Sequence, residues 1–373
     1  MDLDPHHLTP TKALVDLGSL THNLRVFQRK APGIKLIGVV KADAYGHGSL
    51  EVSRALLSNG VRSLAVATVA EAVELRRAGI AETILVFGAP RRDSIAACVE
   101  YDLEPFLTGP ESVDIVRPYS GLRVHLLVDT GMARLGIHPD EVEAIVQAID
   151  QMPGVHLQAL STHFATAGQP GSAFAREQWS RFEAVLSKLG PSPAPVHMAS
   201  SSAVFTIPES IDPNIVESAR IGIGLYGLLE PMPDAPESIF KPVMTFQSEV
   251  AHVKWVEAGA PVSYNSGWRA PARTRIATVA AGYADGYPRI LTARSSVGIK
   301  GSLYPVVGAI CMDLFMVDLG PEPDNKPEIV PGETVILFGS GGPSALDIAK
   351  QAETIPYELV CGVGSRVLRI YSS

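Results

Sequence analysis

The stretch RSLAVATVAEAVELRRAG, residues 62–79, contains one complete strand–helix unit. Its first half is a short apolar run of the kind that forms a buried strand. In its second half Val69, Val73 and Leu75 lie on one face of a helix, and Gly79 follows as a helix stop. The segment therefore predicts a strand that is followed directly by an amphipathic helix.

The same alternation continues along the chain to about residue 230. Seven more apolar runs, most of them separated by amphipathic stretches, occur at 34–41, 83–88, 103–107, 122–129, 156–163, 195–200 and 219–226. About eight strand–helix units in a segment of this length are typical of a (β/α)8 barrel of the TIM type. A doubly wound open sheet is the alternative α/β fold, because a strand count from sequence carries an error of about one or two.

A proline-rich segment, EPMPDAP at 230–236, ends this pattern. Proline interrupts both helices and central strands, so we place a domain boundary there. After it the sequence predicts mainly strands, at 243–255, 275–281, 297–310, 314–319, 333–338 and 366–371, with one clear helix at 344–353. The predicted organisation is an N-terminal barrel over residues 1–237 and a C-terminal, mainly-β domain over residues 238–373.

The composition argues against several classes of protein. The 373 residues are 46% hydrophobic and carry a net charge of −8 without a dense basic run, so nucleic acid and anionic membrane surfaces are not expected partners. No apolar run is long enough to span a bilayer, and residues 1–7 do not resemble a signal peptide. The three cysteines form neither a metal-like nor a disulfide-like pattern. We therefore expect a cytoplasmic globular protein.

Chemistry in a barrel of this type lies at the C-terminal ends of the strands. The first predicted strand ends in Lys41, which emerges from the apolar run LIGVV at 36–40. Partial burial would lower the pKa of this lysine and favour the neutral amine, the form that makes Schiff bases. The alternative is a solvated lysine that only caps the strand.

Further polar residues follow the later barrel strands: Arg134 within 129–136, His163 within 162–166, the serines at 200–202, and Arg220 followed by Gly222 and Gly224. Each has an ordinary structural explanation when taken alone, as a core histidine, an ion-pair member or a turn glycine. Taken together, an amine, backbone amides that can approach a phosphate, and an arginine suggest pyridoxal 5′-phosphate (PLP).

The second domain contributes two turn-rich segments, GYADGY at 282–287 and CMD at 311–313. Tyr283 could act as a base only if nearby positive charge lowered its pKa, and the pattern alone favours a packed loop tyrosine. The three serines lack a Gly-x-Ser-x-Gly elbow, which argues against a hydrolase nucleophile. Asp285 and Gly286 lack the rest of a calcium loop, so no metal site is predicted.

Several of these segments resemble the alanine racemase family: VVKADAYGHG at 39–48, DTGM at 129–132, ARIG at 219–222, GYADGY at 282–287, CMD at 311–313 and IPYE at 355–358. They occur in the order and spacing of the family, from about residue 12 to the end of the chain. The resemblance implies a barrel followed by a β domain and a head-to-tail homodimer. It also implies PLP-dependent interconversion of L-alanine and D-alanine, which supplies D-alanine for peptidoglycan.

The resemblance also implies the catalytic roles. Lys41 would hold PLP covalently and act as the base on the D-side of the substrate. Tyr283 from the other subunit would be the base on the L-side, so that one group removes the α-proton and the other returns one from behind. Arg220 would lie against the pyridine nitrogen, and because it retains its proton the ring would stay largely unprotonated. His163 would link Arg220 to Tyr283 and help to lower the pKa of the tyrosine.

The binding roles carry over in the same way. The residues that would hold the cofactor phosphate are Tyr45, Ser201, Gly222, Ile223 and Tyr357. Arg134 would contact the phenolate oxygen of the cofactor, and the backbone amide of Met312 would contact the substrate carboxylate.

The chain departs from the family pattern at two positions. Many members have a carbamylated lysine seven residues before the arginine that is Arg134 here, and this chain has Leu127 instead. An unpaired arginine in a partly buried site would be costly, so we expect a bound anion near Arg134. The second departure is Ser200, where the family often has asparagine. Neither change removes the lysine or the tyrosine.

Three other functions remain alternatives. A racemase of the same fold could act on serine or on a longer amino acid, because one sequence does not show the size of the pocket. A related decarboxylase has a similar two-domain plan, but the segments at 282–287 and 311–313 argue against it. A non-catalytic PLP-binding protein would have the barrel alone and would leave residues 238–373 without a role.

Overall fold

The computed structural model describes residues 9–190, 194–236, 239–321 and 328–373. These residues form two compact units. The barrel unit comprises Leu20–Ala44 and Gly48–Lys241, and the β unit comprises the described residues through Ser19 together with Tyr45–His47 and Pro242–Ser373. None of the described helices is both long and apolar enough to cross a membrane.

Eight parallel strands close the barrel unit, in the order in which they occur along the chain. The first strand of the described residues, β1 at Lys12–Asp16, belongs to the β unit, so the barrel strands are numbered from two. They are β2 Lys35–Val39, β3 Ser63–Val66, β4 Thr83–Val86, β5 Glu104–Leu107, β6 Leu122–Leu127, β7 Val155–Ser161, β8 Val196–His197 and β9 Ser218–Ile221. Parallel pairing of β2 with β9 closes the cylinder. This closure rules out the open sheet that the strand count had left as an alternative.

Helices follow the barrel strands as the sequence predicts. Those of the first 206 residues are α1 Leu17–Lys30, α2 Lys41–Gly46, α3 Ser49–Ser58, α4 Val69–Arg77, α5 Ile95–Glu100, α6 Pro110–Val116, α7 Val142–Asp150, α8 Ala173–Leu189 and α9 Ala203–Thr206. In α4 the side chain of Thr68 accepts from the Glu71 amide while Glu71 accepts from the Thr68 amide, a capping box that fixes the start of the helix.

The short element α2 is a left-handed turn. Four consecutive residues other than glycine, Ala42 to Tyr45, have φ between 52° and 54°. Such a conformation costs about 1–2 kcal/mol per residue for L-amino acids. Two carboxylates compensate, since Glu71 accepts from the Ala42 amide (2.6 Å) and Asp43 accepts from the Ser49 amide (2.7 Å). Backbone strain of this kind is concentrated at functional sites, and here it directly follows Lys41.

The β unit is built on one eight-stranded sheet in the order β13-β16-β15-β14-β17-β10-β1-β18, with an additional pairing of β13 with β10. Its remaining strands are β10 Met244–Val256, β11 Pro261–Val262, β12 Trp268–Arg269, β13 Thr274–Val279, β14 Ser296–Ile299, β15 Ser302–Val307, β16 Phe315–Gly320, β17 Thr334–Phe338 and β18 Leu368–Ser372. Two helices accompany the sheet, α10 Ala345–Gln351 and α11 Pro356–Cys361.

The predicted fold class, an α/β barrel of the TIM type with a C-terminal mainly-β domain, is confirmed. The predicted boundary at 237/238 lies outside the described residues. The units differ from the predicted division at the N-terminus, because β1 pairs antiparallel with β10 and parallel with β18. These hydrogen bonds make β1 an internal strand of the C-terminal sheet.

Candidate functional site

Lys41 lies immediately beyond β2, at the C-terminal end of the barrel strands, and its side chain is partly buried. Four of the five residues of β2 are buried, so the chain leaves the barrel interior just before this residue. The position agrees with the expectation that the lysine emerges from a buried strand. Lys41 is followed at once by the strained turn α2, which fixes the backbone on which it is mounted.

Arg220 is a buried hydrogen-bonding centre on β9. Its Nη1 donates to Nδ1 of His197 (2.5 Å) and to the carbonyl of the same residue (2.9 Å). Its Nη2 donates to the carbonyls of Thr162 (2.8 Å) and Met198 (3.1 Å) and lies 3.2 Å from Nδ1 of His163. Burial, followed by the nearby charge of Arg134, lowers the pKa of Arg220 to about 10. The guanidinium is therefore fixed in orientation and remains protonated at neutral pH.

His163 is neutral under the same conditions. Burial, followed by the positive charges of Arg220, Arg134 and Lys41 in that order, lowers the pKa of this imidazole to about 3. Because a guanidinium has only donors, Nδ1 of His163 accepts from Arg220 and the proton lies on Nε2. The predicted link from Arg220 to His163 is present.

Ser201 orders the loop that follows β9. Its Oγ accepts from the amides of Gly222 (3.0 Å) and Gly224 (3.2 Å), and the residue is buried. Two accepted hydrogen bonds leave the hydroxyl hydrogen of Ser201 as a donor. Gly224 allows the close packing, since a Cβ there would lie 2.4 Å from the ring of Phe27. Ile223 is buried in the same loop, so the structure brings together three of the five predicted phosphate ligands.

The other two predicted phosphate ligands, Tyr45 and Tyr357, lie in the β unit with ring centroids 6.0 Å apart. Tyr45 is buried whereas Tyr357 is partly exposed. Burial, together with the nearby Tyr357 and Cys361, raises the pKa of Tyr45 above its ordinary value. Tyr45 is therefore a neutral phenol that can donate a hydrogen bond.

The predicted segments 282–287 and 311–313 adjoin each other in the β unit. The amide of Tyr283 donates to the carbonyl of Cys311 (3.1 Å), and Gly282 has no space for a Cβ, which would lie 2.3 Å from the carbonyl oxygen of Met312. Arg366 joins the two segments, donating to Asp285 (2.7 Å) and to Asp313 (2.8 Å). Tyr283 and Met312 are thus held at the backbone, while their side chains are 42% and 53% exposed.

Another tyrosine of the β unit, Tyr264, was not a candidate from the sequence. Its side chain is 71% exposed, and its neighbours Ser263, Asn265 and Ser266 have φ of 67°, 62° and 51°. Tyr264 lines a cavity of about 400 Å3 that also has Arg289 in its wall. A run of left-handed residues other than glycine beside an exposed aromatic ring marks a functional candidate.

Arg134 is exposed, which corrects one premise of the sequence analysis. Water can solvate its charge, so burial does not require a bound anion there. Leu127, at the position of the carbamylated lysine of the family, ends β6, and its carbonyl accepts from the Ile137 amide (2.8 Å). Among the residues that the structure describes, no cluster of three or more His, Cys, Asp or Glu side chains could hold a metal ion.

Both units resemble proteins of one known family. The family model described as "Alanine racemase, N-terminal domain" matches residues 15–230, and the one described as "Alanine racemase, C-terminal domain" matches residues 243–371. Among curated relatives, the alanine racemase of Chlorobaculum tepidum is 38% identical over 372 residues, covering 96% of this chain and 95% of the relative. The alanine racemase of Symbiobacterium thermophilum is 38% identical over 382 residues, covering 100% of this chain and 99% of the relative.

Solved structures give the same result. An alanine racemase of Clostridium difficile 630 superposes with a TM-score of 0.90 at 33% identity, covering 98% of this chain and 96% of that one. The biosynthetic alanine racemase of Pseudomonas aeruginosa superposes with a TM-score of 0.87 at 33% identity, covering 98% of this chain and 100% of that one.

Proposed function

Since the chain belongs to the alanine racemase family, whose members are PLP-dependent isomerases, we propose that it interconverts L-alanine and D-alanine with PLP as its cofactor. The observation that carries the proposal is the convergence of Lys41, His163 and Arg220 in the barrel unit. Arg220 contacts His163 directly, and the charge of Lys41 is near enough to lower the pKa of His163.

The residues present fit PLP. Ser201 keeps a hydroxyl hydrogen for a phosphate oxygen, and Arg220 offers a fixed, buried guanidinium for a ring nitrogen. Lys41 supplies an amine for the aldehyde at the C-terminal end of the barrel strands, where TIM barrels carry their sites. When bound, PLP makes the α-proton of an attached amino acid acidic by withdrawing electrons from Cα.

Two proton-transfer groups on opposite faces of Cα give a direct route to racemisation. We assign the D-side to the amine of Lys41 and the L-side to a tyrosine hydroxyl of the β unit. One group takes the α-proton and the other returns one from the opposite face, which inverts the centre. Arg220 retains its own proton and so does not protonate the ring nitrogen, which restrains side reactions such as transamination.

Two tyrosines compete for the L-side role. The family resemblance points to Tyr283, but the geometry favours Tyr264. Tyr264 is 71% exposed against 42% for Tyr283, lies on a strained turn, and lines a cavity with an arginine in its wall. In a partner subunit, either hydroxyl could accept a hydrogen bond from Nε2–H of His163.

We further propose that the tyrosine comes from a second copy of the chain in a head-to-tail homodimer. Its exposure in the single chain leaves it accessible to a partner. The backbone amide of Met312 would bind the substrate carboxylate, and Arg134 the phenolate oxygen of the cofactor. The product D-alanine would serve peptidoglycan synthesis.

The function is tested by chirality against time for PLP-loaded protein that is given L-alanine, L-serine and L-lysine separately. Racemisation of alanine well ahead of the other two supports the proposal. Faster turnover of serine or lysine would indicate a racemase of different substrate range. No racemisation of any of them, with the cofactor bound, would leave only a PLP-binding protein.

A further inference from the structure

A line of buried polar side chains runs through the interior of the barrel unit and ends at Arg220. His197 Nδ1 lies 2.5 Å from Arg220 Nη1, and its Nε2 lies 2.9 Å from Nδ1 of His125. The Nε2 of His125 lies 2.8 Å from Oε2 of Glu104. All four residues are at most 7% exposed, and they lie on the barrel strands β5, β6, β8 and β9. Neither Glu104 nor His125 was a candidate from the sequence.

The hydrogen-bond partners determine where the protons lie. Arg220 has only donors, so Nδ1 of His197 accepts and its proton is on Nε2. That proton is donated to Nδ1 of His125, which leaves the proton of His125 on Nε2, directed at Glu104. If Glu104 were protonated and donated to Nε2 of His125, the protons of both histidines would lie on Nδ1. The Nδ1–H of His197 would then face an N–H of Arg220, which cannot accept a hydrogen bond. Every donor in the line therefore points toward Glu104.

The surroundings stabilise this single arrangement. The second oxygen of Glu104 accepts from Nε of Arg123 at 2.7 Å, and Arg123 also pairs with Asp102 at 2.9 Å. Burial opposes ionisation, but the hydrogen bonds from His125 and Arg123 outweigh it and hold the pKa of Glu104 below its usual value. The ring of Phe106 stacks on His125 with centroids 5.2 Å apart and an interplanar angle of 10°.

We propose that Glu104 and His125 are positioning residues, which keep His197 as a hydrogen-bond acceptor and thereby fix Arg220 as a charged donor in the candidate site. The functional part of this inference rests on the proposed role of Arg220 toward the ring nitrogen of PLP. The structural part, the order of protons along the line, does not depend on the reaction. Glu104 acts from the N-terminal end of β5, through two histidines, on a residue at the end of β9.

The test combines histidine-selective 15N NMR of the PLP-loaded full chain with steady-state kinetics. In the wild type, the signals of His125 and His197 are expected to show protonated Nε2 and unprotonated Nδ1. In His125→Phe, the Nε2–H of His197 loses its acceptor and only Arg220 still favours that tautomer. A larger share of the Nδ1–H form is therefore expected, together with a fall in kcat of about tenfold, the effect of one net hydrogen bond. Because the line does not contact substrate, KM should change less than kcat.

His125→Asn supplies the matched variant, since its amide oxygen can replace Nδ1 as the acceptor for His197. It should keep His197 in the Nε2–H form and recover most of kcat. Ser210→Ala, which removes a buried hydroxyl elsewhere in the barrel unit, controls for general loss of stability. A wild-type His197 protonated on Nδ1 would overturn the proposal, as would an Asn variant that behaves like Phe. A chain with the expected tautomers but without racemase activity would instead refute the proposed function.

Discussion

In the barrel unit Arg220 and Ser201 are buried and held by several hydrogen bonds, whereas Tyr264 and Met312 of the β unit are exposed on turns. The first pair is ordered by the chain that carries it. The side chains of the second pair are 71% and 53% exposed in the single chain. Under the proposed function, the barrel unit would supply a preorganised cofactor site, and the β unit would present residues that complete the site of another copy.

The largest effect is expected for Lys41→Ala. The variant removes both the attachment point of PLP and one of two proton-transfer groups, so racemisation should fall by roughly 10^4-fold or more. The visible absorption of the lysine-bound cofactor should disappear with it. Lys35→Ala is the control, because Lys35 lies at the opposite end of β2 and pairs with Glu217 at the surface. Retained activity in Lys41→Ala would contradict the assignment.

Substitutions of Tyr264 and Tyr283 should have clearly different effects on the rate of racemisation. Tyr264→Phe is expected to lose about 10^2–10^4-fold in rate, the contribution of a general base, while keeping the visible absorption of the bound cofactor. Exchange of the α-proton should be lost preferentially from L-alanine. Tyr283→Phe should stay within a few-fold of the wild type. The opposite order would restore Tyr283 to the L-side role, and equal losses from both enantiomers would contradict a two-base mechanism.

Ser201→Ala tests the preorganisation of the barrel unit. It removes the oxygen that accepts from Gly222 and Gly224 and the hydroxyl offered to phosphate. Cofactor affinity should fall by about tenfold, which corresponds to roughly one hydrogen bond. Equilibrium dialysis against PLP measures this directly. Ser202→Ala, one residue further along the chain, should bind PLP as the wild type does; equal losses in both would argue against a specific role for Ser201.

The smallest effect concerns acid stability. The pKa of Glu104 is lower in the folded chain than in the unfolded one, so its stabilising contribution is present above the unfolded pKa of about 4.3 and is lost as the pH falls below it. Glu104→Gln should therefore be less stable than the wild type by about 2 kcal/mol at pH 7. The difference should shrink between pH 5 and pH 3 in urea unfolding curves. A difference that is constant with pH would mean that Glu104 does not titrate in this range.

The fold was largely predictable because each strand–helix unit is local in sequence. Closure of the barrel could not be predicted in this way, because it depends on the pairing of β2 with β9 across some 180 residues. The membership of β1 in the C-terminal sheet was missed for the same reason, because its partners in β10 are more than 200 residues away.

The sequence singled out candidate polar residues at or near the C-terminal ends of strands, such as Lys41 directly after β2 and Arg220 near the end of β9. Glu104 and His125 were missed because they lie at the start of β5 and within β6, away from the C-terminal strand ends, and because a sequence gives no sign that polar residues of two strands meet. Tyr264 was missed because the left-handed positions of its turn are Ser263, Asn265 and Ser266 rather than glycines. Left-handed residues of other types are recognised only from the backbone.

The most direct test of the comparison between the two units is complementation. Lys41→Ala is mixed with the inactive tyrosine variant under conditions that allow subunits to exchange. If each site combines the barrel unit of one copy with the β unit of another, heterodimers contain one intact site, and roughly a quarter of wild-type activity should return. No recovery after verified exchange, or full wild-type activity from a monomer, would contradict the account.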